Sequence, residues 1–440
     1  MEDNPTQTRR DFLKATAAAT FAIPHIISSG VLAKPGHPGA NDRIVIGYIG
    51  VGGMGSYHVR PDAAALCDVD ANRLASAAKK VTQGTPFLCK DYRYLLDRKD
   101  IDAVMISTPD HWHAIQTVHA CQAGKDVYVE KPTCRTIQEG QAMVNAARYY
   151  KRVVQVGAQG RSNLNAHAAC TFIRNGQLGK ISRVEVWHEN NFTGGWGEDK
   201  EPPPELDWDL WLGPMRWVPY NPLRCHFHFR WFMDCGGGFI RDRGNHVLSI
   251  VMWCMNADHT GPVSVEATGE PAKEGIFDVP VTMDVKWEFK NPDWTLTWTQ
   301  PGARYPFPHD PQKRPIPWGA KYYGDRETLI VAGGDGGCET EPKAKEYQPP
   351  ADGVQIYKMD SPIPDATVRH RENWLHCIKT REKPIMDIEI GFRVVTLPII
   401  ANISYLLGRK LQWDPVAMKF IGDEEANRLL AQPYRAPWHL

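Results

Sequence analysis

From position 43 the chain alternates between short apolar runs and longer segments in which apolar residues recur every three or four positions. The runs 43–49 (Arg-Ile-Val-Ile-Gly-Tyr-Ile), 63–67, 101–107, 126–129 and 153–157 are apolar almost throughout, as strands buried on both faces of a parallel sheet are. Between them, 71–80, 111–123 and 137–150 read as helices, and 91–97 as a short one. Strands separated by helices of this length imply a parallel sheet with right-handed crossovers. Beyond about position 160 the rhythm changes. A helix ends at 171–175, 181–188 is a strand with clear alternation, and 263–269, 279–289 and 294–300 read as antiparallel strands, with a short strand at 328–332. The segments 367–379 and 392–407 read as helices packed back on that sheet. The proline-, glycine- and tryptophan-rich stretch 193–224 reads as a long ordered loop, and 301–320 as a surface loop or oligomer contact. The fold class is therefore α/β: an N-terminal Rossmann domain plus a C-terminal α/β domain with a predominantly antiparallel, open mixed sheet. The expected divisions are 1–40, 41–160 and 161–440.

Length agrees, because 440 residues are too many for one ordinary core and suit two. Lysine plus arginine and aspartate plus glutamate are 51 each, so nothing in the charge favours nucleic acid or a membrane surface as partner. The ten cysteines run from Cys67 to Cys377 without a C-x-x-C pair. That argues against a zinc ribbon and a disulfide scaffold, and they read as small buried hydrophobes.

The N-terminus reads as an address. Thr8-Arg9-Arg10-Asp11-Phe12-Leu13-Lys14 precedes a mild, alanine-rich apolar stretch broken by Pro24, which is too short to span a bilayer stably. Adjacent arginines followed by Phe-Leu-Lys match the twin-arginine export signal. The mature protein is expected to begin near Lys34, outside the cytoplasm, with the twin-arginine translocase as a transient partner. No other segment reads as apolar enough to cross a membrane.

Chemistry enters where the first strand runs into Gly50-Val51-Gly52-Gly53-Met54-Gly55, a full G-x-G-x-x-G. Gly50 permits the tight turn, Gly52 lets the backbone approach a pyrophosphate, and Gly55 lets the next helix pack closely. The second run ends in Asp68, 18 residues after Gly50. An acid there accepts ribose hydroxyls and disfavours a 2′-phosphate, so NAD is expected over NADP. Asp70 is the alternative acid, and Arg73 keeps NADP open. The helix between loop and strand must be unusually short. Ligands bind at the carboxyl ends of such strands, where Gly50, Asp68, Thr108-Pro109, Glu130-Lys131, Gln159 and Arg161 fall.

In order along the chain, the glycine loop, Asp68, Ser107-Thr108-Pro109-Asp110-His111-Trp112-His113 and Glu130-Lys131-Pro132 resemble the glucose–fructose oxidoreductase/inositol dehydrogenase (Gfo/Idh/MocA) family. So do Gly236-Gly237-Gly238-Phe239-Ile240-Arg241-Asp242-Arg243-Gly244-Asn245-His246 and the ending Gly408-Arg409-Lys410-Leu411 through Ala436-Pro437-Trp438. The ending is similar to the exported bacterial branch. The resemblance implies an NAD(P)-dependent oxidoreductase of sugars or polyols, commonly a homo-oligomer. It implies Lys131, Asp242 and His246 as the catalytic set, His113 on the cofactor cleft, and a cis bond before Pro132. Asp242 and His246, four apart, would share a helix face.

Oxidising a secondary alcohol needs a proton acceptor, a cation for the developing alkoxide and a dry pocket, which these residue types supply. Arg161 and a patch of His226, His228, Arg230 and Trp231, with Asn245, are candidates for substrate contact. The pairs His111/His113 and His226/His228 could each offer two metal ligands, but no third is evident, so no metal is expected. Free NAD is scarce outside the cytoplasm, so the cofactor is expected to be tightly held. A redox-neutral glycoside hydrolase or epimerase and a non-catalytic NAD-containing sugar-binding protein are the alternatives.

Overall fold

The order of the first six strands decides where a ligand can enter. In a computed structural model describing residues 39, 43–302, 316–334, 338–354, 356 and 363–440, β1 (Ile46–Ile49), β2 (Ala65–Cys67), β3 (Phe87–Cys89), β4 (Ala103–Ile106), β5 (Asp126–Glu130) and β6 (Val154–Gly157) form one sheet ordered 3-2-1-4-5-6. Every neighbour is parallel. The order reverses between β1 and β4, so the loops leaving those strands part and open a crevice at their carboxyl ends. Both sheets of the protein belong to one unit, Val45–Leu440. The expected twin-arginine segment and most of the expected 301–320 loop lie outside the described residues.

All residues of β1, β2, β4, β5 and β6 are buried, which matches their lack of alternation. Edge strand β3 is half-exposed, and three residues are too few to show a period. The helix after the glycine loop spans only Gly53–His58, as the spacing requires. Thr136 and Glu139 form a capping box on the helix Ile137–Tyr149.

Among the described residues the second sheet has nine strands: β7 (Ile181–Trp187), β8 (Ser264–Thr268), β9 (Met283–Phe289), β10 (Trp294–Gln300), β11 (Gly319–Gly324), β12 (Thr328–Gly333), β13 (Cys338–Glu341), β14 (Leu411–Asp414) and β15 (Lys419–Phe420). Their order is 13-12-11-7-10-9-8-14-15. Only β7 and β10 pair in parallel, so the sheet is mixed and mostly antiparallel. Alternate residues of β9 and β10 are buried. Strand β11 begins inside the stretch expected to be loop, and β13, β14 and β15 were not expected from the sequence pattern.

Helix Gly244–Cys254 packs on β7 and β11 and helix Ile388–Leu407 on β8. The latter also touches β6 and the helix Ile137–Tyr149, which ties the two sheets together. By length and composition it is apolar enough to cross a membrane, contrary to expectation, but most of it is buried inside the protein. It is a core helix. The loop 193–224 contains a short helix, Trp208–Leu212, and is pinned to the end of β2. The Ala71 amide donates to the Glu205 carbonyl (2.9 Å) and the Asp207 amide to the Val69 carbonyl (3.0 Å).

Candidate active site

A cavity of about 560 Å³ lies at the carboxyl ends of β1, β2, β4 and β5 and is closed on the far side by residues 192–246. At its nucleotide end the glycine loop sets the shape. Gly50 has φ +78°, and a Cβ on it would stand 2.8 Å from the backbone of Ser107 and Thr108; one on Gly55 would meet the Gly50 carbonyl at 1.8 Å. Strand, loop and helix close up only with glycine there. Gly53, in contrast, has nothing within 4 Å, and Gly52 faces the Arg73 guanidinium. Gly50, Gly52, Gly53 and Met54 line the cavity, and the bare backbone between them is the cradle a pyrophosphate requires. The residues present thus fit a dinucleotide.

Asp68 holds that loop. Its Oδ2 accepts from the Val51 amide (2.8 Å) and its Oδ1 from the Asp70 amide (3.0 Å). Burial pushes the Asp68 carboxyl up, and those two N–H groups partly offset it. Val51 and Gly55 support the loop without reaching the cavity. Asp70, the alternative ribose acid, instead caps the helix Ala71–Ala78 and takes His226 Nε2 at 3.0 Å.

At the other end β5 closes on Glu130, whose Oε1 accepts from Gln159 Nε2 (2.8 Å) and lies 2.8 Å from His58 Nε2. Burial would raise this carboxyl, but His58 and the Lys131 charge outweigh it and hold Glu130 below its usual range. The Lys131–Pro132 peptide is cis. Lys131 Nζ donates to Asp242 Oδ1 at 2.6 Å. For Asp242 burial again acts upward, and Lys131 and then Arg230 overcome it, so the carboxyl stays well below the ordinary range. Helix Gly244–Cys254 starts two residues after Asp242, so Asp242 and His246 do not share a helical face. Asp242 sits in the turn before it, its amide donating to the Gly238 carbonyl (3.1 Å). His246, in the first turn, lines the same cavity as Asp242 and Lys131.

Thr108, Pro109, Glu130, Gln159 and Arg230 also line it. Besides Val51 and Gly55, five expected contacts do not. His113 lies 2.7 Å from the Pro132 carbonyl and 2.8 Å from the Thr108 carbonyl, bracing two strand-end loops from behind. Arg161 is fully buried against Asp258 (2.5 Å) and the Ser249 carbonyl (2.7 Å). Trp231 is core, its Nε1 donating to His228 Nδ1 at 3.1 Å while His228 stacks on Phe277. Asn245 donates to the Arg241 carbonyl. In each case a partner nearer than the cavity satisfies the polar group first. Arg161→Met is therefore expected to cost about 3–5 kcal/mol of stability, by leaving Asp258 unpaired. Denaturant unfolding would show it, with cofactor affinity of the folded protein unchanged.

Of the His-x-His pairs, His111 lies 2.7 Å from the Trp211 carbonyl and 3.2 Å from Cys235 Sγ. Among the described residues no three His, Cys, Asp or Glu side chains cluster to hold a metal. Sequence reasoning missed His58 behind Glu130, and Phe192, Phe239, Arg243 and Trp211 on the cavity wall. Only Phe239 and Arg243 fell inside a singled-out motif; nothing local marked the others.

A family model described as an oxidoreductase family, NAD-binding Rossmann fold matches residues 44–158. Its companion, an oxidoreductase family C-terminal alpha/beta domain, matches 165–291 and 341–440. The chain is similar to an aldose-aldose oxidoreductase from Caulobacter crescentus in a complex with glycerol (TM-score 0.61, 17% identity, 84% of this chain and 100% of that one). It is also similar to a scyllo-inositol dehydrogenase from Lactobacillus casei with bound NAD(H) and scyllo-inositol (TM-score 0.57, 16% identity, 84% and 98%). At these identities the likeness is one of fold. Among curated relatives, a glycosyl hydrolase family 109 protein of Shewanella pealeana is 30% identical over 205 residues, 40% of this chain and 45% of that protein. The chain thus spans less than half the length of that relative.

Proposed function

Because the chain belongs to the Gfo/Idh/MocA oxidoreductase family, we propose that it oxidises a secondary alcohol of a sugar or polyol with a tightly held NAD. The observation that carries this reading is the convergence of Lys131, Asp242 and His246 on one cavity whose other end is the glycine cradle. A bound nicotinamide would supply the hydride acceptor. Lys131 Nζ donates a hydrogen bond to the reacting oxygen and steadies the alkoxide as charge develops. His246 takes the hydroxyl proton, a role that suits an imidazole. Asp242, anionic across the working pH range, is an acceptor for a neighbouring substrate hydroxyl and not the proton-accepting base.

Asp68 favours NAD over NADP because an acidic residue lines the cavity beside the glycine loop, where it repels a 2′-phosphate. Asp68→Ser is expected to weaken NAD binding about tenfold or more and to narrow its advantage over NADP, measured by titration of the apoprotein. Tight retention is supported by the 203–226 segment. His226 is held to Asp70, and Trp112 Nε1 donates to the Trp211 carbonyl (3.1 Å), so this segment bridges both rims of the nucleotide end. Denaturing the purified protein and weighing the released small molecules tests this, with near-stoichiometric NAD the expected result. Export through Arg9-Arg10 and a homo-oligomeric state belong to the same proposal. Lys-Lys in place of that pair should strand the precursor in the cytoplasm.

The second reading, a redox-neutral glycosidase, is favoured by the glycosyl hydrolase family 109 relatives. It predicts turnover without net NADH, with solvent deuterium entering the carbon beside the oxidised one.

A further inference from the structure

Asp242 carries a second cation that the proposed chemistry does not use. Arg230 Nε stands 3.1 Å from Asp242 Oδ1, the same oxygen that accepts Lys131 Nζ. Oδ2 has no protein partner among the described residues, and Asp242 lines the cavity. One oxygen is fixed and the other is open.

Arg230 is itself firmly held. Its Nη1 donates to the Phe227 carbonyl at 3.0 Å, and its guanidinium lies 4.6 Å from the ring centres of both Phe227 and Phe229. The backbone joins it to Asp242: the Gly238 amide donates to the Arg230 carbonyl (2.9 Å), and the Asp242 amide donates to the Gly238 carbonyl. A Cβ on Gly236 would stand 2.3 Å from Arg230 Cα, so the glycine turn 236–238 lets the two residues hang from one short piece of chain.

A carboxylate gripped by one flexible lysine can pivot about that contact. A planar guanidinium on the same oxygen removes the freedom. On the oxidoreductase reading, we propose that Arg230 is the positioning residue of this site. It clamps Asp242 Oδ1 beside Lys131 so that Oδ2 stays turned to the cavity, ready for the substrate hydroxyl next to the one oxidised.

The test compares Arg230→Met with Arg230→Lys in the NAD-loaded protein. With whichever of D-glucose, myo-inositol or levoglucosan reduces the bound cofactor, Arg230→Met is expected to lower kcat/KM by about a hundredfold, mostly through KM. Arg230→Lys keeps the charge but not the planar, stacked fork and should regain only a small part of that, and NADH affinity by fluorescence should not move in either variant. Activity of Arg230→Met near wild type, a loss that falls on NADH affinity, or full recovery in Arg230→Lys would overturn the assignment. If wild type reduces its cofactor with none of these sugars, the oxidoreductase reading is what fails, and a crystal structure of Arg230→Met still decides the clamp. Asp242 is expected to turn until Oδ2 gains a protein partner; an unmoved carboxylate would overturn it.

Discussion

Lys131→Met is expected to slow hydride transfer by roughly a thousandfold while NAD stays bound. Lys131 is the cation placed where β5 ends, and its Nζ is 2.6 Å from Asp242. Without it, the alkoxide forming as hydride departs would face Asp242 and Glu130 with no positive hydrogen-bond donor from β5. The cradle and Asp68 lie at the other end of the cavity, so cofactor affinity should be nearly unchanged. Folding should survive too, because Arg230 remains to neutralise Asp242. Lys131→Arg keeps the charge but not the compact ammonium, and should recover little. Single-turnover absorbance at 340 nm separates these outcomes. Rapid transfer in Lys131→Met would remove the lysine from the mechanism.

Acid should unfold this protein steeply, beginning well above the range in which carboxylates titrate. Burial holds His111 down at about 3, and His188 and His370 at about 4. His370 Nε2 lies 2.9 Å from the Val156 carbonyl, and His188 Nδ1 lies 2.9 Å from the Glu189 carbonyl. The unfolded chain protonates its histidines near pH 6.5. Between that value and the folded ones it binds more protons than the folded chain, so stability falls as pH falls. Each histidine contributes about 1.4 kcal/mol per pH unit, and the three together about 4 kcal/mol per unit between roughly pH 6 and 4. Against a total of about 5–15 kcal/mol that is decisive. Asp242 and Glu130, both held low, extend the loss at lower pH, whereas burial raises Asp68 and Asp110, which act in the opposite direction. Urea unfolding at pH 7.5, 6 and 5 measures the slope. His111→Gln should flatten it by about a third, and equal stability at pH 7 and 5 would contradict it.

The dinucleotide half was legible because its signals are local. Gly50 and Gly55 announce a backbone that no side chain permits, and Asp68 follows at the end of the next strand. The meeting of Lys131, Asp242 and His246 at one cavity was legible only through the ordered family motifs, since nothing within either Glu130-Lys131-Pro132 or Arg241-Asp242-Arg243 says that the two meet. The failures share a cause. Arg161, His113 and Asn245 are polar residues at the right positions along strands and turns, but each finds a partner closer than the cavity. Asp258 for Arg161 is 97 residues away, and no local pattern reports that. The same holds for Arg230, whose charge was visible while its grip on Asp242 was not. Strands β3, β13, β14 and β15 were missed because they are only two to four residues long and, unlike the other short strands of the first sheet, are not buried throughout.

Deuterium transfer tests most directly whether the glycine cradle and Lys131 serve one reaction. The NAD-loaded protein is mixed with D-glucose, myo-inositol or levoglucosan carrying deuterium on the ring carbinol carbons, quenched within one turnover, and its cofactor is weighed. A reduced cofactor carrying one deuteron in the wild type, absent in Lys131→Met, is the expected result. Bound NAD that gains no deuterium from any of the three sugars would contradict it.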